Sequence, residues 1–312
     1  IEAARVLSRN KFPATIVYAL LSGEEQGLLG GKILADHARA QGWQVMAMLN
    51  NDIIGNSCGS DGVCDSGHVR VFSEGTRADA TPELIAAQRS RGGETDSPSR
   101  NLARFVDRLA DDQGFGLDVR PIWRSDRYAR GGDHLAMLED GFPAIRFTVA
   151  VENYDHQHQD LRVERGIAYG DTIEQMDFAY LTKVVRLNVA ALAALARAPA
   201  VPAPIAEGAV SPDTAISWSP VAAAAHYRIS WRPTDAAGWT KSEIVPAGVT
   251  RHVLKGIRVD DWIFGVSSIS ADNHESPVAS AVPGGAFGPL PPPSPTPSPP
   301  PGEGTKPQAQ RH

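Results

Sequence analysis

Three apolar, strand-like runs constrain this chain most, because each ends in side chains able to hold a metal or move a proton. Residues 14–21 (ATIVYALL) lead into Ser22-Gly23-Glu24-Glu25 and residues 45–51 lead into Asp52. Residues 144–149 are followed by the turn Tyr154-Asp155-His156-Gln157-His158. In open α/β sheets, ligands and catalytic groups gather at the carboxyl ends of strands. The repeated placement therefore reads as a functional signal.

Around these runs, strand-like and helix-like segments alternate up to about residue 198. Residues 28–40, 82–91 and 100–112 read as helices, and residues 69–72 and 119–123 as short strands. A long helix closes the region, with Phe178, Leu181, Val185, Val189 and Leu192 recurring at helical spacing as its expected core face. This pattern predicts an α/β fold, a mostly parallel or mixed sheet with helices on both faces, over residues 1–198. A proline-rich linker at 199–208 follows. In residues 209–285 the period changes to two: Tyr227, Ile229 and Trp231 alternate with polar neighbours, as do Trp262, Phe264 and Val266. Short alternating strands of this kind predict a small all-β sandwich. The segments AISWSPVAAAAHYRISWRPT and DDWIFGVSSISADNHESPV resemble a fibronectin type III domain. Residues 286–312 are too rich in proline to bury a core and read as a disordered, proline-rich tail.

Charge removes several function classes. Thirty basic residues against 36 acidic ones give a net charge of -6, which argues against nucleic acid or a basic membrane-binding surface. No uninterrupted apolar run approaches the roughly 20 residues of a membrane span, so no membrane span is expected. Cys58 and Cys64 are the only cysteines. They lie in a glycine-rich loop at a spacing that suits a small disulfide in an exported protein, although two free thiols are an equal alternative.

Glu24 and Glu25 sit in a tight turn where adjacent side chains diverge, so one can bind a metal while its neighbour faces the attacking water. Two exposed glutamates at a helix start would look the same in sequence. Asp52, immediately after an apolar strand, is a ligand or a turn residue. Asp133 and His134, in Gly131-Gly132-Asp133-His134, read as groups that position a ligand, or as a helix cap and a surface histidine. His156 and His158 point to opposite sides of an extended chain, so one of the two is the expected ligand.

The segments SGEEQGLLGG, LNNDIIGN, GGDH with GFPAI, and ENYDHQHQD, in this order and spacing, resemble the co-catalytic zinc aminopeptidases of metallopeptidase family twenty-eight. The resemblance covers about residues 1 to 198 and implies a zinc exopeptidase-like fold. It implies a complete site with two Zn2+ ions, acting on peptide or protein substrates. By motif position, Glu24 resembles the general base and Glu25 a ligand of one zinc. Asp52 resembles a ligand of the other, with His158 as its terminal histidine and His156 as the alternative ligand. Gly132 stands where the family has serine, and Met137 where a pocket phenylalanine is usual. The family's His-x-Asp segment and zinc-bridging aspartate have no counterpart in the 312 residues. The sequence therefore reads as an N-terminally truncated aminopeptidase, secreted or periplasmic, with little or no activity of its own. Competing readings are a catalytically dead peptide-binding module and a carboxypeptidase or glutaminyl cyclase activity on the same fold.

Overall fold

The computed structural model describes residues 1–290. Its first unit is built on a four-stranded mixed sheet. In chain order the strands are β1 (Met48–Asn51), β2 (His68–Phe72), β3 (Asp118–Ile122) and β4 (Ala144–Val149), and their order across the sheet is β1-β4-β2-β3. β1 runs parallel to β4 and β2 parallel to β3, while β2 and β4 are antiparallel.

β4 is buried along its whole length, and its two faces do different work. Ile145, Phe147 and Val149 join Val69, Val71 and Val119 beneath two helices, α4 (Pro98–Gln113) and α6 (Phe178–Arg197). Fully burying each such side chain stabilises the fold by roughly 1.5–3 kcal/mol. Ala144 faces the other way, into a smaller cluster with Ala35 and Ala38 of α2 (Leu29–Ala40) and Ala136 to Leu138 of α5 (His134–Glu139). Helices thus cover both faces of a mixed sheet.

Local chemistry starts two of these helices cleanly. Thr81 and Ser97 accept hydrogen bonds from Leu84 N and Arg100 N, and each is followed by proline at the first turn of α3 (Pro82–Arg91) and α4.

The structure departs from the sequence reading in several places. Residues 14–21 join no strand ladder among the described residues, and Val17, Tyr18 and Leu20 are exposed. A buried strand needs neighbours on its edges as well as apolar side chains, and the segment has none among the described residues. The core face of α6 is Tyr180, Val184, Leu187, Ala191 and Leu195, not the Phe178 stripe, and Phe178 is exposed. The helix is apolar nearly all round, so periodicity offers two stripes and packing selects one. By length and composition alone α6 is also apolar enough to cross a membrane, but here one stripe packs on the sheet.

The second unit is a two-sheet antiparallel sandwich. Strands β9 (His226–Pro233), β10 (Lys241–Pro246), β12 (Trp262–Ile269) and β13 (Ala279–Ser280) form one sheet. The other holds β7 (Ile205–Glu207), β8 (Thr214–Ser217) and β11 (Arg251–Leu254). β7 lies wholly inside the stretch read as linker. Ile216, Trp218, Tyr227, Ile229, Phe264 and Val266 fill the space between the sheets. Residues 286–290, read as the start of the tail, lie against the first unit: Arg77 donates to the carbonyls of Ala286 and Gly288, and Leu290 N donates to Asp79. The rest of the tail, residues 291–312, lies outside the described residues.

Candidate metal centre

The parallel pairing of β1 with β4 matches Asn51 to Phe147, so Asp52 and the loop after β4 leave the sheet at the same edge. Asp52 is followed by Ile53 at φ 57, a left-handed conformation that a β-branched residue adopts only under constraint. The carbonyl of Ile53 accepts from Val149 N and from the Thr148 hydroxyl, which fixes that turn against β4.

Glu24 and Glu25 are carried by a compact turn. The Glu24 carbonyl accepts from Gly27 N and Leu28 N, and Ser22 O accepts from Gly30 N. A Cβ at Gly30 would meet Ser22 O at 2.7 Å, and one at Gly31 would meet Asp133 O at 2.7 Å, so the paired glycines allow α2 to start this close to its neighbours. Asp133 completes the arrangement by accepting from Gly31 N at 3.1 Å, which puts its carboxylate at the N-terminus of α2. It serves α2 rather than capping its own helix α5. Burial raises its pKa, and the charge of Asp52 adds to the effect against the Gly31 bond.

Carboxylates from these segments converge on Glu24. Its pKa is raised, first by burial and then by the charges of Asp52, Glu25 and Asp133, with Arg146 opposing. Glu25 Oε1 lies 3.2 Å from His158 Nε2, and both side chains are largely exposed. His158 sits at φ 55. His156 is turned inward instead, with a buried Nδ1 that has no partner among the described residues.

Asp52 is held by a residue that the sequence reading missed. Arg146, in the middle of β4, is fully buried and faces away from Ile145 and Phe147. Its Nη2 lies 2.9 Å from Asp52 Oδ2, although off the line that a hydrogen bond requires, and its Nη1 donates to both oxygens of Asp126. An arginine inside the run AIRFTV was the available signal, since charged side chains are almost never fully buried unless paired. His134 packs behind this cluster rather than on the surface. Its Nε2 bonds to Ser125 O at 2.8 Å, its Nδ1 has no partner among the described residues, and burial lowers its pKa.

Cys58 and Cys64 form a disulfide in the loop that follows Asp52. No described residues make a group of three His, Cys, Asp or Glu side chains close enough to hold a metal. Glu25 faces His158 while Asp52 faces Arg146, so the pairing of Asp52 with His158 implied by the resemblance is not formed. Two pairs of this kind do not amount to a zinc site, which ordinarily takes three or four protein ligands, and they fit a two-zinc centre still less.

Comparison with known proteins identifies the family. The model of Peptidase family M28 matches residues 1–164, and the chain belongs to that family. It is 40% identical over 287 residues to a probable zinc metalloprotease of Leptosphaeria maculans, covering 91% of this chain and 66% of that protein. A probable zinc metalloprotease of Pyrenophora tritici-repentis is also 40% identical, with 91% and 59% covered. The chain thus spans about three fifths to two thirds of the length of these relatives. The sandwich region matches the solution structure of the fn3 domain of the human collagen alpha-1(XX) chain at 25% identity. That match covers 31% of this chain and 91% of the other, with a TM-score of 0.23.

Proposed function

We propose that the chain carries part of the active site of a zinc-dependent aminopeptidase. Family membership supports zinc and peptide hydrolysis, and the observation that carries the assignment of roles is the convergence on Glu24. Burial raises its pKa first, and the charges of Asp52, Glu25 and Asp133, carried by three segments, add to the rise while Arg146 opposes it. Glu24 is the general base: a carboxylate among like charges holds a proton more readily and can return it to the leaving amine. Glu25, Asp52 and His158 are the donors this chain offers to metal, with His156 as the alternative. Asp133 positions the turn that carries Glu24, and His134 supports the Asp126–Arg146 pair behind Asp52. The Cys58–Cys64 disulfide supports a secreted or periplasmic setting.

These donors fall short of a complete zinc site, so the 312-residue chain is expected to bind zinc weakly and to hydrolyse aminoacyl reporter substrates slowly or not at all. Calorimetric zinc titration should show weak binding that Glu25→Gln and His158→Ala each reduce. Binding unaffected by both substitutions would remove these ligands from the assignment, and turnover at ordinary enzyme rates would overturn the expected inactivity. In a chain that does hydrolyse, Glu24→Gln should lower kcat by roughly 10²–10⁴-fold.

A second reading, a catalytically inactive peptide-binding scaffold, is favoured by the engagement of Asp52 with Arg146. It predicts peptide binding that a chelator does not alter and no zinc-dependent cleavage under any condition.

A further inference from the structure

Beside the carboxylate cluster lies an open cavity of about 800 Å³, walled by Arg70, Arg124, Arg127 and Arg130 together with Tyr128 and Tyr154. It adjoins the candidate centre in two ways. Tyr154 opens the turn that ends in His158, and Arg130 Nη1 donates to Gln157 Oε1 at 3.3 Å. A line of ion pairs also runs from Asp52 through Arg146 and Asp126 to Arg127 at the cavity wall.

The charges in this wall do not balance. Glu152, almost fully buried, accepts from Arg70 Nη2 at 2.6 Å and Arg130 Nη2 at 2.9 Å, and Arg127 Nη1 lies 3.6 Å away. Asp126 serves Arg127 but is already engaged by Arg146. Arg70 spends its Nε on Val149 O, and Arg127 spends Nη2 on Gly131 O. Arg124 has no counter-ion and no side-chain hydrogen bond among the described residues; its guanidinium only stacks over the Tyr128 ring, 5.4 Å from the centroid. Tyr128 is 82% exposed and Tyr154 59% exposed. Exposed tyrosines beside the unspent guanidinium of Arg124, at the rim of a concave surface, are the composition of a recognition site rather than of a solvated face.

We propose that this cavity is a subsite for an acidic side chain of the peptide substrate, whose carboxylate docks on Arg124 and Arg130 between Tyr128 and Tyr154. The planar guanidinium of Arg124, already oriented by its aromatic neighbour, suits a two-point contact with a carboxylate. The shape and charge select Asp or Glu over neutral residues at one position of the bound peptide. This assignment deepens the aminopeptidase reading and rests on it for the word substrate.

The test measures binding, so that it stands apart from catalysis. Fluorescent alanine pentapeptides with a free amino terminus would carry Glu or Gln at each of the first three positions. Their affinities for the 312-residue chain would be measured by fluorescence anisotropy in the presence of a chelator. At least one Glu peptide should bind about 5–20-fold tighter than its Gln counterpart at low ionic strength, and the preference should shrink in high salt. Arg124→Gln with Arg130→Gln should bring the affinities of the Glu and Gln peptides within about twofold of each other. Arg124→Gln alone, at an exposed position, should narrow the gap even if the double variant folds poorly. Equal affinities for Glu and Gln peptides, binding of neither, or a preference that survives both substitutions would overturn the proposal. Zinc binding unchanged by Glu25→Gln and His158→Ala would count against the peptidase reading and leave this result intact.

Discussion

Two aspartates in this chain are each held by a buried arginine, and their surroundings differ. Asp96, at the junction of the two units, is about 1% exposed and accepts from Arg232 Nη2 through both oxygens, at 2.9 and 2.8 Å. Ser280 also donates to it at 2.9 Å, and Arg104 stands 3.7 Å away. Asp52, at the strand edge, has one guanidinium beside it at poor angle and a side chain 30% exposed. The first cluster is closed and joins the sandwich to the mixed sheet; the second is open and has capacity left for another partner. Buried ion pairs persist where their hydrogen bonding is complete, so an incompletely satisfied carboxylate at the edge of a sheet marks the place where something else binds.

This contrast can be broken by mutation. Asp96→Ala should cost about 3–5 kcal/mol, because it strands the charge of Arg232 in the interior, and the denaturant midpoint of the chain would report it. If Asp52→Ala cost as much, the distinction between a closed and an open cluster would fail.

Glu74 probes the surroundings of the closed cluster, since its carbonyl accepts from Ser97 and its carboxylate from Ala78 N. Burial pushes its pKa up to about 7 against the pull of Ala78 N and Arg77. A carboxyl group raised in the folded state holds its proton more tightly there than in the unfolded chain. Its stabilising contribution is therefore full below about pH 4.5 and is lost as pH rises through about 7. Glu74→Gln should remove this dependence and make the variant more stable than the parent at pH 8 by about 2–3 kcal/mol. Thermal melts at pH 5 and pH 8 would measure the difference. Equal pH dependence in parent and variant would show that Glu74 stays ionised.

The smallest effect is expected at the open site. Asp52→Asn and Glu25→Gln should each change stability by less than about 1 kcal/mol, as is usual for partly or largely exposed ion pairs. Each should nevertheless weaken zinc binding, and that separation of metal affinity from stability would sharpen the comparison.

Much of this architecture was legible in the sequence where local rules suffice. The helix at Pro82–Arg91 follows a threonine cap and a first-turn proline, and Ala144–Val149 is a strand from its first apolar residue to its last. The change of period after the proline-rich stretch marked the sandwich. Residues 14–21 misled for a physical reason: their composition suits a buried strand, yet no ladder partner lies beside them. The α6 face could not be chosen from a helix apolar on nearly every side. In the candidate site, Glu24, Glu25, Asp52 and the histidine turn stood out by position and motif, whereas Arg146 and Asp126 did not. Their meaning depends on which face of β4 they share, and that follows from strand pairing.

The sequence by itself determined most of the elements that form, the chemical groups that follow them, and the family to which that pattern belongs. Backbone propensity, capping and periodicity act over a few residues and are written locally. Only the tertiary structure decided that Asp52 meets Arg146, that Glu25 meets His158, and that four arginines share one cavity. Those pairings join segments far apart in the chain, and they depend on the sheet order and on which surfaces packing leaves open.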